Sequence, residues 1–203
     1  MADIHHSGPI DLLVSTRNAH KTAEIAKILA ARFQVSDLRV LPDFPEVEEV
    51  GKTFEENATL KAVAASREYS GWVIADDSGL EVDALGGAPG IYSARFAGQS
   101  ADDSANTSLL LTKLEATRGK ARSARFRCVI VLARAGRKLA AFEGTVEGII
   151  ANHRSGKGGF GYDPVFIPKG YCETFAGLPP ETKNRISHRS RALDKLLVWE
   201  GFF

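Results

Sequence analysis

The fold of this chain is decided by residues 72–98, WVIADDSGLEVDALGGAPGIYSARFAG. Residues 72–75 are apolar and predict a short buried strand, which is expected to end where Asp76 and Asp77 begin. Burying a charged carboxylate is costly unless a metal or a proton compensates for the charge. Two adjacent aspartates in this position therefore indicate a functional site, and a segment rich in Gly and Pro follows them.

The composition is that of a globular protein and argues against several functional classes. The 203 residues are 44% hydrophobic and 25% charged, which is enough for one domain with a substantial core. The net charge of +1 lacks the excess of Lys and Arg that binds nucleic acid non-specifically. No apolar run approaches the roughly 20 residues of a membrane span.

The cysteines and the N-terminus indicate the compartment. Cys128 and Cys172 are too few for a disulfide scaffold and do not have metal-ligand spacing. Residues 1–10 lack the basic and apolar regions of a signal peptide. We therefore expect a cytoplasmic protein, with a loose tail at residues 1–9 and a single domain over residues 10–203.

The first half of the chain predicts alternating strands and helices. Residues 10–14 predict a first strand, and residues 15–21 predict a polar turn that leads into a helix. Thr53 and Glu56 have the spacing of a capping box, which predicts a second helix before the strand at residues 72–77. The apolar face of the first helix is expected to consist of Ile25, Ile28, Leu29 and Phe33.

The second half predicts a helix and then antiparallel strands. A helix is expected over residues 104–114. Apolar residues then alternate over residues 126–132, and a turn at Ala135 and Gly136 leads to residues 139–143. This pattern is typical of a β-hairpin, which residues 145–151 are expected to extend.

The last segment adds one strand and one helix. A short strand is expected within residues 162–167, and Ser187 is a suitable N-cap for a final helix. The buried stripe of that helix would consist of Ala192, Leu193, Leu196 and Leu197. Taken together, these elements predict a mixed α/β fold in which helices pack on a mixed sheet.

Residues 16–21, TRNAHK, could form an anion-binding turn between the first strand and the first helix. Thr16 and Asn18 offer side-chain hydrogen bonds, Lys21 adds a point charge, and the N–H groups of the following helix point the same way. These features suit a triphosphate. A plain helix start with Asn18 as N-cap explains the same residues equally well. The turn has no glycine, so it is not a Walker A loop.

The carboxylates Glu48, Glu49, Asp76 and Asp77 could converge on a hard divalent cation. Mg²⁺ is the natural partner where phosphates supply the remaining ligands. The two glutamates could instead belong to a solvated acidic face. That alternative is weaker for the two aspartates, because the preceding strand is expected to hold them close to the core.

Two further segments offer groups that could bind a nucleobase. In residues 156–163, GKGGFGYD, Phe160 offers a stacking face and Asp163 can accept a ring N–H. Lys183, His188 and Arg189 add donors near the start of the last helix. A tight turn with buried aromatics, and a basic helix start at the surface, are the alternative interpretations.

These motifs together resemble the Ham1/RdgB family of inosine triphosphate pyrophosphatases. The matching blocks occur in the family's order from about residue 11 to 194. They are STRNAHKTAEI, GKTFEENATLKA, ADDSGLEVDALGGAPGIYSARFAG, GGFGYDPVF and ISHRSRAL. The chain departs from the family in a longer N-terminus and in Gly177, where the family commonly has Glu.

The resemblance implies hydrolysis of ITP, dITP and XTP to a monophosphate and pyrophosphate. It also implies an elongated mixed sheet with two lobes, a central cleft, and a homodimer. Asp77 would be the general base and would hold Mg²⁺ together with Glu48, while Lys21 would be catalytic. The residues expected to bind the substrate are Thr16, Arg17, Asn18, Ala19, His20, Lys21, Ser78, Phe160, Gly161, Tyr162, Asp163, Lys183, His188 and Arg189.

Two other functions are compatible with parts of the sequence. A Maf-type pyrophosphatase also cleaves non-standard nucleotides, but the blocks SHR and GGFGYDP match the inosine family instead. A nucleotide-binding regulator without catalysis is the alternative from another class. Such a protein would be expected to have lost at least one of Lys21, Glu48 and Asp77, and all three are present.

Overall fold

The computed structural model describes residues 8–117, 119 and 121–202, and within them six strands form one mixed sheet flanked by helices. The mixed α/β fold is therefore confirmed. The expected tail lies outside the described residues except for residues 8 and 9. In chain order the elements are β1 (Ile10–Val14), α1 (Ala19–Leu29), β2 (Phe33–Asp37), α2 (Phe54–Glu68), β3 (Trp72–Val82), α3 (Asp103–Glu115), β4 (Ser123–Arg134), β5 (Arg137–Ile150), β6 (Phe166–Pro168), α4 (Pro180–Ile186) and α5 (His188–Leu197).

The strand order across the sheet is β2-β1-β3-β4-β5-β6. β1 is parallel to both β2 and β3, whereas β3, β4, β5 and β6 pair antiparallel. The predicted hairpin is confirmed as β4 and β5, whose turn places Ala135 and Gly136 at positive φ. Residues 145–150, expected to extend the hairpin, are the second half of β5.

The prediction that β3 ends at the two aspartates is wrong. β3 continues to Val82, because β4 pairs with it from Val73 as far as that residue. Cations from three other elements compensate both carboxylates, so the strand can pass through them without ending.

Two further expectations need correction, and two elements were not predicted. Phe33 is not on the face of α1, because that helix ends at Leu29 and Phe33 pairs with Ile10 as the first residue of β2. The last short strand begins at Phe166 rather than at residue 162, since residues 162–165 form a turn. The sequence patterns also missed β2 and α4, both of which are short.

Helices cover both faces of the sheet. One face packs on α1 and α5 through Leu12, Ile74, Ile130, Ile25 and Leu193. The opposite face packs on α2, where Phe54, Ala58 and Ala62 contact Ala75, Val129, Val131 and Ala133. Among the described residues, no helix has the length and apolar character needed to cross a membrane.

Candidate active site

Asp76 and Asp77 face opposite sides of the sheet, because successive side chains of a strand alternate. Asp76 points to the side of α1 and α5, where its carboxylate contacts Lys21 and Arg189. Asp77 points to the side of α2, where its carboxylate contacts Lys61. The two carboxylates therefore make different sets of contacts, although both line the same cavity.

Asp76 is fully surrounded by donors. Its Oδ1 accepts from Lys21 Nζ at 2.5 Å and from Ser78 Oγ at 3.0 Å, and its Oδ2 accepts from Arg189 Nε at 3.0 Å and Cys128 Sγ at 2.9 Å. Burial alone would raise the pKa of this carboxyl group. The charges of Arg189 and Lys21 outweigh burial and hold the pKa well below its usual value. Asp76 is thus ionised at neutral pH and anchors these donors.

Asp77 has a different environment. Its Oδ1 accepts from Lys61 Nζ at 2.8 Å, and Asn57 Nδ2 lies 3.5 Å from its Oδ2. Burial raises the pKa of Asp77, and the Lys61 charge only partly offsets this effect. A carboxylate with a raised pKa is a better proton acceptor than an ordinary aspartate, so Asp77 suits the role of a base.

Lys61 joins Asp77 to a second carboxylate. Its Nζ contacts Glu49 Oε1 at 2.7 Å, and Glu49 Oε2 also accepts from Arg95 Nη1 at 3.3 Å. Glu49 lines a cavity of about 370 Å³ together with Thr16, Lys21, Lys61 and both aspartates, which we call the carboxylate cavity. Glu48 is exposed and does not line this cavity.

The turn at residues 16–21 lies at the edge of the carboxylate cavity and caps α1. Asn18 Oδ1 accepts from the backbone N of His20 at 3.0 Å and of Lys21 at 3.2 Å. The capping interpretation is therefore confirmed, and it leaves Lys21 Nζ directed at Asp76. Arg17 Nη2 donates to the Phe44 carbonyl at 2.5 Å, which ties this turn to the segment before Glu49.

A second cavity of about 130 Å³ lies beside the first, on the side of α5. Phe160, Asp163, Lys183, His188 and Arg189 line it, and we call it the Phe160 pocket. Asp163 Oδ2 accepts from the Phe160 backbone N at 2.9 Å and from Lys183 Nζ at 2.6 Å. The glycine loop and α4 thus meet at one buried carboxylate.

His188 contributes a neutral imidazole to the Phe160 pocket. Its ring stacks on Phe126 with centroids 4.7 Å apart, and its Nδ1 is buried without a hydrogen-bond partner among the described residues. Burial, reinforced by the nearby Arg189 charge, holds the pKa of His188 well below its usual value. The ring therefore remains uncharged at neutral pH.

An unbroken chain of alternating charges connects the two cavities. Glu24 of α1 lies between the cations, with Lys183 Nζ and Arg189 Nη1 each 2.5 Å from one of its oxygens. In order, the chain runs Asp163, Lys183, Glu24, Arg189, Asp76 and Lys21. Because each charge has a partner of the opposite sign, these groups can remain ionised although most of them are buried.

Close backbone contact holds α5 in position. Gly144 of β5 lies against the start of α5, and a Cβ at this position would come within 2.0 Å of the His188 carbonyl oxygen. The Ser187 side chain caps α5 by accepting from Ser190 N at 3.1 Å, as the sequence predicts. The helix can therefore present His188 and Arg189 directly to the Phe160 pocket.

The other expected site residues occupy less direct positions. Ser78 lines both cavities, and Tyr162 lines the Phe160 pocket, where it is largely buried and donates to the Ser93 carbonyl at 2.8 Å. Ala19 lines neither cavity. The His20 ring stacks on Phe160 with centroids 5.5 Å apart, and Gly161 N donates to Asp103 Oδ2 at 2.6 Å.

Sequence reasoning missed three residues that the structure places at the site: Glu24, Asn57 and Lys61. Asn57 and Lys61 are four residues apart in α2 and therefore share one face of the helix. The available signal in the sequence was an asparagine on the same helix face as a lysine. Glu24 lies outside the apolar face expected for α1, and no signal in the sequence places it between two cations.

The residues present suit one divalent cation held jointly with a phosphate ligand. The Lys61 ammonium lies between Glu49 and Asp77, so a positive charge already bridges these two carboxylates. Among the described residues no group of three or more His, Cys, Asp or Glu side chains is arranged to hold a metal ion. One or two carboxylates are what Mg²⁺ uses where substrate phosphates complete its coordination.

Known proteins with this sequence and fold form a consistent group. The model of the Ham1 family matches residues 12–199. The dITP/XTP pyrophosphatase of Geobacillus kaustophilus is 50% identical over 187 residues, covering 92% of each chain. The dITP/XTP pyrophosphatase of Bacillus subtilis is 46% identical over 187 residues, covering 92% of this chain and 94% of the relative.

Solved structures agree with these matches. A HAM1 protein from Coxiella burnetii has a TM-score of 0.83 at 39% identity, covering 92% of this chain and 96% of that one. The Staphylococcus aureus Ham1 protein has a TM-score of 0.80 at 44% identity, covering 92% and 95%. The chain therefore belongs to the Ham1 family.

Proposed function

We propose that this protein hydrolyses non-canonical purine nucleoside triphosphates (ITP, dITP and XTP) to the monophosphate and pyrophosphate. The observation that carries the proposal is the arrangement of two adjoining cavities. One is lined by carboxylates and lysines, the other by an aromatic ring and buried donors, and one chain of ion pairs joins them. A nucleotide has the same two parts, a charged triphosphate and an aromatic base.

The triphosphate would lie in the carboxylate cavity. Lys21 and Lys61 supply positive charge there, and the positive end of the α1 dipole lies at the edge of the cavity. Attack on an anionic phosphorus requires such neutralisation, because negative charge accumulates on the phosphoryl oxygens. Thr16 lines the same cavity and offers a hydroxyl to the phosphates.

Asp77 would take a proton from the attacking water. Its raised pKa favours proton acceptance, and its carboxylate lines the same cavity as Lys21 and Lys61. Transfer of the proton to Asp77 leaves a hydroxide-like oxygen aimed at the α-phosphorus, and pyrophosphate departs. Asp76 does not compete for this proton, because its paired cations keep its pKa low.

Mg²⁺ would be held by Asp77 and Glu49. Glu49, not Glu48, shares the Lys61 ammonium with Asp77, and this contact supports the choice between the two glutamates. When bound, the cation supplies charge neutralisation to the phosphates. Glu48 remains exposed outside the cavity and has no part in this assignment.

The purine base would occupy the Phe160 pocket. Phe160, whose ring stacks with His20, would offer its remaining ring surface to the base, and Arg189 is a donor that could approach the 6-oxo group of hypoxanthine or xanthine. Adenine has an amino donor at that position, so a donor would face a donor. A site that depends on hydrogen bonds rejects such a partner by orders of magnitude.

The family resemblance also supports a homodimer that works in the cytoplasm. Analytical ultracentrifugation of the purified protein tests the first part: a sedimentation coefficient of a 44 kDa particle, about twice the chain mass of 21.9 kDa, is expected. A single monomer species at micromolar concentration would contradict it. Fractionation of producing cells tests the second part.

The decisive experiment assays purified protein with Mg²⁺ and ITP, dITP, XTP, ATP or GTP, measuring pyrophosphate and orthophosphate separately. Pyrophosphate from the first three, with little from ATP or GTP, is the expected result. Orthophosphate would move cleavage to the γ-position and contradict the mechanism. Preferred cleavage of modified pyrimidine triphosphates would favour the Maf-type alternative, and binding without turnover would favour a regulator.

A further inference from the structure

Asn57 is a fully buried polar side chain whose two amide ends make different contacts. Its Oδ1 accepts from the backbone N of Gly51 at 2.8 Å, and its Nδ2 lies 3.5 Å from Asp77 Oδ2. Asparagine is a weak helix former, and the other buried residues of α2 are one phenylalanine, three alanines and Ser66 near its end. The amide therefore has a purpose other than forming or packing the helix.

The first contact fixes the chain segment that carries Glu49. Gly51 follows Glu49 by two residues and lies so close to α2 that a Cβ would come within 2.6 Å of Asn57 Oδ1 and 2.9 Å of Asn57 N. Only glycine permits this approach. The backbone next to Glu49 is therefore held against α2 by Asn57.

The second contact fixes Asp77. The Asp77 carboxylate accepts from Lys61 Nζ at 2.8 Å on one oxygen and has Asn57 Nδ2 at the longer distance of 3.5 Å from the other, so α2 approaches both of its oxygens. Lys61 contributes a positive charge to this contact, whereas the Asn57 amide is neutral. Asn57 can therefore hold both groups without opposing a cation.

We propose that Asn57 is a positioning residue that sets the separation of Glu49 and Asp77 and so prepares these carboxylates for a divalent cation. The proposal rests on the proposed function for the identity of the two ligands. Outer groups that orient metal ligands typically change metal affinity by about 10- to 100-fold when they are removed. Asn57 acts through Glu49 and Asp77 and does not itself touch the substrate.

The test measures direct binding of Mn²⁺ alone to the nucleotide-free protein. The electron paramagnetic resonance signal of the free ion is the readout. Asn57→Ala is expected to weaken Mn²⁺ binding by at least about 10-fold. The matched control is Asn106→Ala. Asn106 is also a buried asparagine that anchors a backbone segment, through Ala94 O at 3.0 Å and Ala97 N at 2.8 Å. The control is expected to change Mn²⁺ affinity less than about twofold.

A second variant keeps the proposal testable if Asn57→Ala does not fold. Gly51→Ala leaves Asn57 in place but forces the segment away from it, and it is expected to weaken Mn²⁺ binding similarly. Unchanged Mn²⁺ affinity in a folded Asn57→Ala or Gly51→Ala protein would overturn the proposal, as would a wild-type protein that binds no Mn²⁺ at millimolar concentration. Steady-state kinetics should show a higher Mg²⁺ requirement with the nucleotide KM unchanged at saturating Mg²⁺.

The Mn²⁺ measurement is independent of the nucleotide substrate. If the protein failed to release pyrophosphate from every nucleotide, the proposed function would fall, but the difference between Asn57→Ala and Asn106→Ala would still be measured. Conversely, normal pyrophosphate release with equal Mn²⁺ affinities in both variants would remove only the role of Asn57.

Discussion

Asp76 and Asp77 differ by one position in β3, and this single step gives them opposite electrostatic environments. On one face Asp76 meets two cations that lower its pKa, and on the other face burial of Asp77 raises its pKa although Lys61 is near. Two identical side chains can thus serve as a fixed anion and a proton acceptor. The alternation of side chains along the strand is what places the two carboxylates in these different environments.

Replacing Asp77 with Asn tests the role of the base. The change keeps the shape of the side chain but removes the proton acceptor, so kcat for ITP should fall about 10²- to 10⁴-fold. The Kd for ITP, measured by calorimetry, should change only a few-fold. The same substitution at Asp83, whose carboxylate is at the surface near the end of β3, is the control and should leave kcat unchanged. A normal kcat in Asp77→Asn would remove this residue from the mechanism.

Substitution of Arg189 tests how the protein distinguishes the purine base of ITP from that of ATP. Alanine here would remove one of the two cations that pair with Asp76 and one of the two that pair with Glu24, at a cost of about 3–5 kcal/mol, so Arg189→Lys is the better variant. Lysine retains the charge but loses the planar fork. We expect kcat/KM for ITP to fall at least about tenfold, and much more than for ATP. Arg191→Lys is the control, and equal losses for both nucleotides in Arg189→Lys would contradict base recognition.

At the scale of elements, the position of α5 depends on Gly144, which has no side chain to hold the helix away from β5. Gly144→Ala would drive a Cβ into the His188 carbonyl and the Ala192 backbone N, so α5 must move away from β5. Urea unfolding should show a loss of about 1–3 kcal/mol, and kcat/KM for ITP should fall because Arg189 shifts. Gly8→Ala meets nothing within 4 Å and is the control. Wild-type stability in Gly144→Ala would contradict the close contact.

The elements that the sequence predicted correctly are those with strong local signals. The capping box of α2, the hairpin of β4 and β5, and the Ser187 cap of α5 were all found from spacing. β2 was missed because its pattern is weak and only its parallel pairing with β1 defines it. The end of β3 was misplaced because the charges that compensate its aspartates come from distant parts of the chain.

At the site, too, only local signals could be recognised in the sequence. Residues close together in the sequence, such as residues 16–21, could be assigned as a group from local features. Glu24 could not be assigned to the site, because its role depends on ion pairs with Lys183 and Arg189, which lie more than 150 residues away along the chain. Long-range ion pairs leave no periodic signal, so only the folded structure reveals them.

At the scale of the whole molecule, His188 couples stability to pH. Its pKa in the folded protein lies well below the ordinary value of about 6.5, so the unfolded chain binds the additional proton first as pH falls. The contribution of His188 to stability is complete above about pH 6.5 and is lost below it, with a slope of up to about 1.4 kcal/mol per pH unit.

Urea unfolding between pH 7.5 and 5 measures this effect. The free energy of unfolding should decrease as pH falls, and His188→Gln should flatten the decrease because it removes the titrating group. His153 is exposed, so His153→Gln should retain the wild-type slope. Identical slopes in all three proteins would show that His188 does not cause the decrease in the free energy of unfolding at acid pH.

The charge chain from Asp163 to Lys21 has a consequence for the synthesis of this protein. In sequence order its members come from α1, β3, the glycine loop, α4 and α5. A growing polypeptide that has not yet delivered Arg189 leaves Asp76 and Glu24 with too few cations. The nascent chain therefore cannot complete this chain of ion pairs until α5 has left the ribosome, and a product truncated before α5 would lack the cation that Asp76 and Glu24 share.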